Sequence, residues 1–366
     1  MGLRVLIAGG GTGGHVFPGL AVARAIQDAC PGALVTFAGT ARGLEARLVP
    51  GAGFSLDLIR SRGLQGVGWR GKVQGIAALP LSLRDAWRVL SRRVPQVVIG
   101  VGGYSSGPVV LAAWLRRIPT MLLEQNAVPG LTNRWLAPVV DAAAVTYEAT
   151  LRYFGGRGLV TGNPVRGDIV AVGSQPASSS LTATGGGGSL LVFGGSQGAH
   201  AVNVAMMAAA TVLAQRCALR ITHQTGPRDH QAVTDAYAAA HIDATVVPLI
   251  DDMGSGLAQA DLVVCRAGAT TLAELAAAAR PAILIPLPTA TNDHQRLNAE
   301  AVVAAGAAVL LPEPDASGAH LAEQIVALLQ DDTRRQQMAG AARALSRPHA
   351  ASQIAARAIA LAGGCR

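Results

Sequence analysis

Short apolar runs recur along the chain, each followed by a longer segment with helical spacing of its apolar positions. Candidate strands at 3–8, 33–38, 96–100, 119–123, 142–146 and 158–160 alternate with candidate helices at 18–29, 42–50, 75–93, 107–116 and 131–137. The alternation resumes with strands near 190–193, 219–223, 244–247, 262–264, 282–285 and 308–310, and helices at 199–214, 229–239, 270–279, 294–304 and 319–329. Nearly continuous apolar strands separated by helices imply parallel sheets covered on both faces. Between the two series, Thr161-Gly162-Asn163-Pro164-Val165-Arg166 reads as a turn and hinge, and the Ser/Ala/Thr/Gly-rich stretch 173–189 as a flexible surface loop. The alanine- and arginine-rich tail, 332–362, reads as helical, and in a two-domain chain such a tail crosses back to the first domain.

Glycine turns punctuate both series. The opening strand ends in Gly9-Gly10-Gly11-Thr12-Gly13-Gly14-His15, and a second strand ends in Gly194-Gly195-Ser196-Gln197-Gly198. Glycine permits positive φ and close backbone approach, and the amides and dipole of the helix that follows favour an anion, usually a phosphate. Two such units imply two α/β domains with a cleft between them. Gly9, Gly11 and Gly14 also satisfy the dinucleotide-binding spacing, which further requires an acidic residue at the end of the second strand. That end is Phe37-Ala38-Gly39-Thr40, so a nicotinamide or flavin reading is demoted.

Composition narrows the picture. The chain has 366 residues, enough for about two domains. Half of it is hydrophobic and only 4% aromatic, so small side chains carry much of the packing. No apolar run has the length of a membrane-spanning helix, and the start reads as a buried strand rather than a secretory leader. Cys30, Cys217, Cys265 and Cys365 show no metal-ligand spacing, and a reduced, cytoplasmic protein is the simplest expectation. Residues 1–164 hold 17 Lys+Arg against 7 Asp+Glu, concentrated in Arg60, Arg62, Arg70, Lys72, Arg84, Arg88, Arg92 and Arg93 and opposed there only by Asp85. Leu64, Trp69, Ile76, Leu79, Leu81, Leu83 and Trp87 lie among them. Such a surface suits anionic lipid headgroups, while a solvated arginine face above ordinary core residues is the plainer account. No nucleic-acid reading motif accompanies the charge, and no nucleic-acid partner is expected.

Several polar residues stand where open α/β sheets bind ligands, just past strand ends. His15 suits a general base or phosphate partner, though a lone histidine is commonly structural. Tyr104 follows a third glycine turn, Gly100-Val101-Gly102-Gly103, which is either an anion-contacting loop or merely a tight turn. Glu124 has the chemistry to take a hydroxyl proton, and Asn126 to bind a sugar hydroxyl or to cap a helix. Ser196 and Gln197 suit a pyrophosphate or a plain N-cap, and Arg166 offers a fork of donors to the same phosphates. Arg266 reads as a packing residue. Thr270, Thr271 and Glu274 open a helix after Gly268; Glu274 suits a ribose diol, against the capping box that this spacing also spells. Asn292-Asp293-His294-Gln295 brings further polar groups to the same edge.

Taken together, GGGTGGHVFPGLAVA at 9–23, GVGGYSSGP at 100–108, EQNAVPGLTNRWLA at 124–137, GNPVR at 162–166, GGSQGA at 194–199, IDDM at 250–253, CRAGATTLAE at 265–274 and DHQRLNAE at 293–300 carry a resemblance. The chain resembles the bacterial UDP-N-acetylglucosamine:N-acetylmuramyl-(pentapeptide) pyrophosphoryl-undecaprenol N-acetylglucosamine transferases from its first strand to its last helices. The resemblance implies a GT-B fold, two Rossmann-like parallel-sheet domains facing a central cleft. It implies an acceptor and membrane-facing domain at 1–164, onto which a helix at about 344–366 packs back, and a UDP-GlcNAc-binding domain at 165–343. It implies inverting transfer of N-acetylglucosamine from UDP-GlcNAc to lipid I, giving β-1,4-linked lipid II for peptidoglycan.

Carried over by position, Ile250 meets the uracil, Glu274 the ribose, and Ser196, Gln197 and Arg166 the pyrophosphate, with Ala269, Thr270, Thr271, Leu272 and Ala273 beside it; Gln295 reads the sugar. Thr12, Gly13, Gly14 and Asn126 close on the donor, while His15, Tyr104 and Glu124 face the acceptor, the base being either His15 or Glu124. Leu123 departs from the family by standing where many relatives carry histidine. The membrane face comprises Arg70, Lys72, Ile76, Leu79, Arg84, Trp87 and Arg88, joined by Trp114, Arg116 and Arg117. The resemblance also implies a peripheral location on the cytoplasmic face of the inner membrane and partners in the cell-wall synthesis and division machinery. No Asp-x-Asp occurs, so no metal or cofactor is expected and phosphate loops and arginine take that role. Rival readings are a GT-B enzyme acting on another lipid, a UDP-sugar epimerase, and a non-catalytic nucleotide-binding scaffold.

Overall fold

The structure is a computed structural model describing residues 2–61, 69–174, 188–195, 197–290 and 293–365, with side chains for all of these except 69–78 and Ser174. Most of the 173–189 loop therefore lies outside the described residues. The chain divides into two compact units, Met1–Arg166 with Arg347–Arg366, and Gly167–Ser346.

The first unit is built on β1 (Arg4–Gly9), β2 (Leu34–Gly39), β3 (Ser55–Leu58), β4 (Val97–Gly102), β5 (Thr120–Glu124), β6 (Ala142–Val145) and β7 (Gly158–Val160). They form one sheet in the order β3-β2-β1-β4-β5-β6-β7, every neighbour parallel. Strand side chains alternate between faces. Val5 and Ile7 join Val35, Phe37, Val97 and Ile99 in a core against α1 (Gly13–Ala29). Leu6 and Ala8 join Val98, Leu122 and Ala143 in another, covered by α3 (Trp69–Arg93), α4 (Ser106–Leu115) and α5 (Leu131–Leu136). The strand β3 and the short α2 (Glu45–Gly51) that precedes it complete the edge. Ser55-Leu56-Asp57-Leu58 was not among the expected strands, because an edge strand pairing on one side tolerates polar alternation that a buried run does not.

The second unit repeats the plan. Its strands are β8 (Gly188–Phe193), β9 (Leu219–Gln224), β10 (Asp243–Val247), β11 (Leu262–Cys265), β12 (Ala282–Leu284) and β13 (Ala308–Leu310). They run in the order β10-β9-β8-β11-β12-β13, again all parallel. In each sheet the order reverses beside its first strand, so the switch point lies at β1/β4 and at β8/β11. Ligands of open α/β sheets bind outside the carboxyl ends of strands at that point. Both predicted glycine turns stand there.

The helices of this unit are α6 (Gly167–Ser174), α7 (His200–Arg216), α8 (His230–Ala239), α9 (Met253–Gln259), α10 (Ala269–Ala278), α11 (His294–Ala304), α12 (Gly318–Gln330) and α13 (Asp332–Leu345). The tail expected as one helical stretch is two, α13 and α14 (Ala350–Leu361), separated around Pro348. Proline lacks the amide donor and disfavours helix in the residue before it, so the chain can turn there and return to the first unit. Ile354, Ala355 and Ala358 of α14 are buried in the core behind α1. This return also corrects the expectation of wholly reduced cysteines: Cys30 at the end of α1 and Cys365 form a disulfide, with Cα atoms 5.8 Å apart. A sequence separation of 335 hides that pairing from any local pattern.

Candidate active site

In the first unit the turn after β1 runs through Gly9, Gly10 and Gly11, all at positive φ, into α1 with Thr12 as its N-cap. A β-carbon on Gly103 would lie 2.5 Å from the Gly10 carbonyl oxygen, so the turn after β4 packs backbone to backbone on the turn after β1. The half-buried His15 lies between them. Its Nδ1 is 3.2 Å from the Gly10 carbonyl oxygen and 3.3 Å from Thr12 Oγ1. Its Cδ2 and Nε2 edge lies over Gly102, where a β-carbon would come within 2.7 Å. The Tyr104 ring lies against Gly11, 3.4 Å from where a β-carbon would stand, and its carbonyl accepts a hydrogen bond from Ser61 Oγ at 3.0 Å. Thr12, Gly13, Gly14, His15 and Tyr104 thus form one cluster at the switch point.

Glu124, at the end of β5, is only 3% exposed. Its Oε1 accepts from the Asn126 amide at 3.0 Å and Asn126 Nδ2 at 3.2 Å; its Oε2 accepts from the Gly130 amide at 3.0 Å and Asn133 Nδ2 at 2.8 Å. Burial pushes the carboxyl pKa up, while these donors pull it down. Glu124 therefore ties together the turn between β5 and α5 and orients Asn126. Neighbouring Gln125 donates to the Val101 carbonyl at 3.0 Å, joining the ends of β5 and β4.

In the second unit the turn after β8 carries Gly195 and Gly198 at positive φ. Gln224 Nε2 holds the Gly195 carbonyl at 2.6 Å. Ser196 lies outside the described residues. Gln197 is exposed, and α7 begins at His200 with Ala199 as N-cap, so Gln197 is not a helix cap. Behind this turn, Asn203 Nδ2 donates to the Thr225 carbonyl and to Asp229, and His223 bridges Asn203 Oδ1 at 3.1 Å and the Tyr237 hydroxyl at 2.8 Å. Helix α10 starts at Ala269 with Gly268 as N-cap. Thr271 is therefore not the cap, and the capping-box account of Glu274 fails. Ala269, Leu272 and Glu274 are buried; Thr270, Thr271 and Ala273 are half-buried. Ile250 precedes α9, whose N-cap Asp252 accepts from the Ser255 amide at 2.9 Å. Gln295, in the first turn of α11, accepts from the Leu287 amide at 3.0 Å, which joins that helix to the segment after β12.

Sequence models of the glycosyltransferase family 28 N-terminal and C-terminal domains match residues 5–145 and 189–354. A UDP-N-acetylglucosamine--N-acetylmuramyl-(pentapeptide) pyrophosphoryl-undecaprenol N-acetylglucosamine transferase of Anaeromyxobacter sp. (strain K) is 48% identical over 96% of this chain and 91% of its own length. The equivalent protein of Myxococcus xanthus is 44% identical over 96% of this chain and 91% of its own. This chain belongs to that transferase family, within glycosyltransferase family 28. The crystal structure of Acinetobacter baumannii MurG superposes with a TM-score of 0.76 at 30% identity, covering 97% of this chain and 99% of that one. A UDP-N-acetylglucosamine 2-epimerase superposes at 0.67 with only 12% identity, a likeness of fold alone. The architecture is GT-B.

Two arginines behave differently from one another. Arg166, expected at the start of the second domain, is the last residue of the first unit, its guanidinium 4.8 Å above the Phe17 ring of α1. Arg266 is buried and bonds the Ile285 and Pro286 carbonyls at 3.1 Å each and Glu313 at 2.5 Å, a packing role. Glu45, whose carboxylate lies directly behind the first glycine turn, carries no motif signal: the dinucleotide spacing places its acid at the end of β2, whereas this one sits a short loop later, at the start of α2.

Elsewhere in the first unit, Leu79, Leu81, Trp87, Trp114, Leu115 and Trp135 are exposed, as are Arg84 and Arg88. Arg116 stacks over Trp87 at 5.2 Å. The side chains of Arg70, Lys72 and Ile76 lie outside the described ones. Asp85 is not the only local acid: Asp57, nearly buried on β3, pairs with both Arg92 and Arg93. Among the described residues no helix is long and apolar enough to cross a membrane, and no group of three or more His, Cys, Asp or Glu is placed to hold a metal ion.

Proposed function

We propose that the protein transfers N-acetylglucosamine from UDP-GlcNAc to the 4-hydroxyl of the muramyl sugar of undecaprenyl-pyrophosphoryl-MurNAc-pentapeptide, releasing UDP and leaving lipid II. One observation carries this reading: 48% identity over nearly the whole chain to relatives named for that transfer. The hydroxyl oxygen attacks the anomeric carbon from the face opposite UDP, the bond to the diphosphate oxygen breaks, and the hydroxyl proton passes to His15. We assign the base to His15 rather than Glu124 because both oxygens of the buried Glu124 already accept from the turn that follows it and from Asn133 of α5. A base must reach the proton it abstracts.

The donor belongs to the second unit in this reading. Ile250 meets the uracil, Glu274 the ribose diol and Gln295 the sugar. The glycine turn at 194–198, with Ser196 and Gln197, and the start of α10 from Ala269 to Ala273 take the diphosphate, aided by Arg166. Preorganised amides aimed at developing negative charge lower the barrier without reorganising. This is why no metal or other cofactor is invoked. Thr12 to Gly14, Tyr104 and Asn126 complete the sugar and acceptor contacts.

The exposed tryptophans and leucines beside Arg84, Arg88 and Arg116 favour an anionic lipid surface as the platform, since the acceptor is a membrane lipid. A peripheral position on the cytoplasmic leaflet is part of the same reading. The deciding experiment measures UDP release from UDP-GlcNAc with and without a lipid I analogue, with identification of the product. Acceptor-dependent release and a new disaccharide are expected, falling at least about 100-fold in His15→Asn. Donor binding with no stimulation by the acceptor would overturn the assignment.

A further inference from the structure

Glu45 is 1% exposed, a carboxylate enclosed by its own unit. Its Oε1 accepts from the Thr40 amide at 2.8 Å and the Thr40 hydroxyl at 2.9 Å, and its Oε2 from the Gly11 amide at 2.7 Å. Gly10, Gly39 and Gly43 all face this carboxylate so closely that a β-carbon on any of them would collide with it. The chain therefore clears space on several sides for one buried charge.

The bond to Gly11 reaches further than the loop. The Gly11 amide and the Gly10 carbonyl are the two ends of one peptide group, and that carbonyl faces His15 Nδ1 at 3.2 Å. A carbonyl oxygen only accepts, and the Thr12 hydroxyl at 3.3 Å can accept as well as donate, so a proton on Nδ1 satisfies both contacts and leaves the lone pair of a neutral ring on Nε2. A carboxylate pulling on the amide end also makes the carbonyl end a better acceptor.

We propose that Glu45 is a positioning residue for the transfer, setting the tautomer and orientation of His15 through the Gly10–Gly11 peptide group. It rests on the reading of His15 as base. Glu45 never touches the substrate. It holds the turn and keeps Nε2 as the nitrogen able to take the acceptor's proton, as outer partners of ligating or catalytic histidines do elsewhere.

The test pairs Glu45→Gln with Thr40→Val. The glutamine oxygen is drawn to the two donors of Thr40, which turns its NH2 towards the Gly11 amide, donor against donor. Thr40→Val removes one hydroxyl bond and keeps the bond to Gly11. The first readout is the ring ¹⁵N spectrum of His15 without substrate, assigned among the eight histidines by its loss in His15→Asn. The second is steady-state kinetics with UDP-GlcNAc and a lipid I analogue.

Wild-type His15 is expected protonated at Nδ1 when neutral. Glu45→Gln shifts it towards the Nε2–H form and lowers kcat by about 10- to 100-fold, with the donor KM within about threefold. Thr40→Val keeps the tautomer and holds kcat within about twofold, although it removes a buried hydrogen bond of ordinary strength. A wild-type ring protonated at Nε2 overturns the proposal without any variant and without any assay, so the result holds even if Glu45→Gln does not fold. A change in tautomer without loss of kcat, loss of kcat without a change in tautomer, or equal kinetic loss in Thr40→Val would each overturn it too. Because the spectrum needs no substrate, failure of the positioning role is distinguishable from failure of the assigned reaction.

Discussion

Single carboxylates organise two turns in this chain, Glu45 the one after β1 and Glu124 the one after β5, and the proposed reading gives a third, Glu274, the ribose. Replacing Glu124 by Gln leaves four donors facing an amide that can accept on one side only. Breaking such a buried charged network costs about 3 kcal/mol. Urea unfolding is expected to show that loss together with reduced turnover; abolished turnover at unchanged stability would instead mark Glu124 as the base. At Glu274 the expectation is reversed. Glu274→Gln weakens a charged hydrogen bond to the ribose, raising the KM for UDP-GlcNAc about 10-fold or more while kcat stays within about threefold. Comparison with 2′-deoxy donor analogues locates the lost contact, since the variant should no longer discriminate against them.

Elements earn their positions through buried polar links as much as through apolar faces. His223 on β9 is fully buried between Asn203 of α7 and Tyr237 of α8, and Asn203 in turn holds the Thr225 carbonyl behind the second glycine turn. Burial pushes the His223 pKa down to about 3, from an ordinary 6.5. The folded state therefore keeps the ring neutral where the unfolded chain protonates it. Below about pH 6.5 the unfolded state binds the extra proton, so this residue's contribution falls as pH falls towards about 3 and is constant above that window. The slope is up to about 1.4 kcal/mol per pH unit. His223→Gln cannot titrate, so its denaturation free energy should fall less steeply than wild type across that window. Parallel slopes for the two proteins would count against a neutral buried ring.

At the scale of the whole molecule, the chain's last segment stabilises its first domain. Helix α14 buries Ile354, Ala355 and Ala358 behind α1, the helix whose start carries His15. A chain ending at Ser346 exposes that core and is expected to lose at least about 3 kcal/mol from the first unit. Hydrogen exchange would show protection falling in β1 to β5 and persisting in β8 to β13; uniform loss in both units would contradict the division. Most of the architecture was legible beforehand. Apolar runs such as Val97–Ile99 and Leu262–Val264 are buried on both faces, and that burial demands continuous hydrophobicity, which a sequence displays directly. The glycine turns were equally plain, because positive φ and close backbone approach restrict the residue type at Gly11 and Gly198. What stayed hidden depends on partners distant along the chain or across a loop. The sequence cannot tell that Glu45 faces Gly11, that Asp57 takes up Arg92 and Arg93, or that Cys365 meets Cys30, because each pairing exists only once the sheet is wound and the tail returns. Local chemistry alone determined which residues could bind phosphate or move a proton. Only tertiary structure decided that Glu45 and Glu124 hold turns together, since a carboxylate's role depends on the donors the fold brings to it.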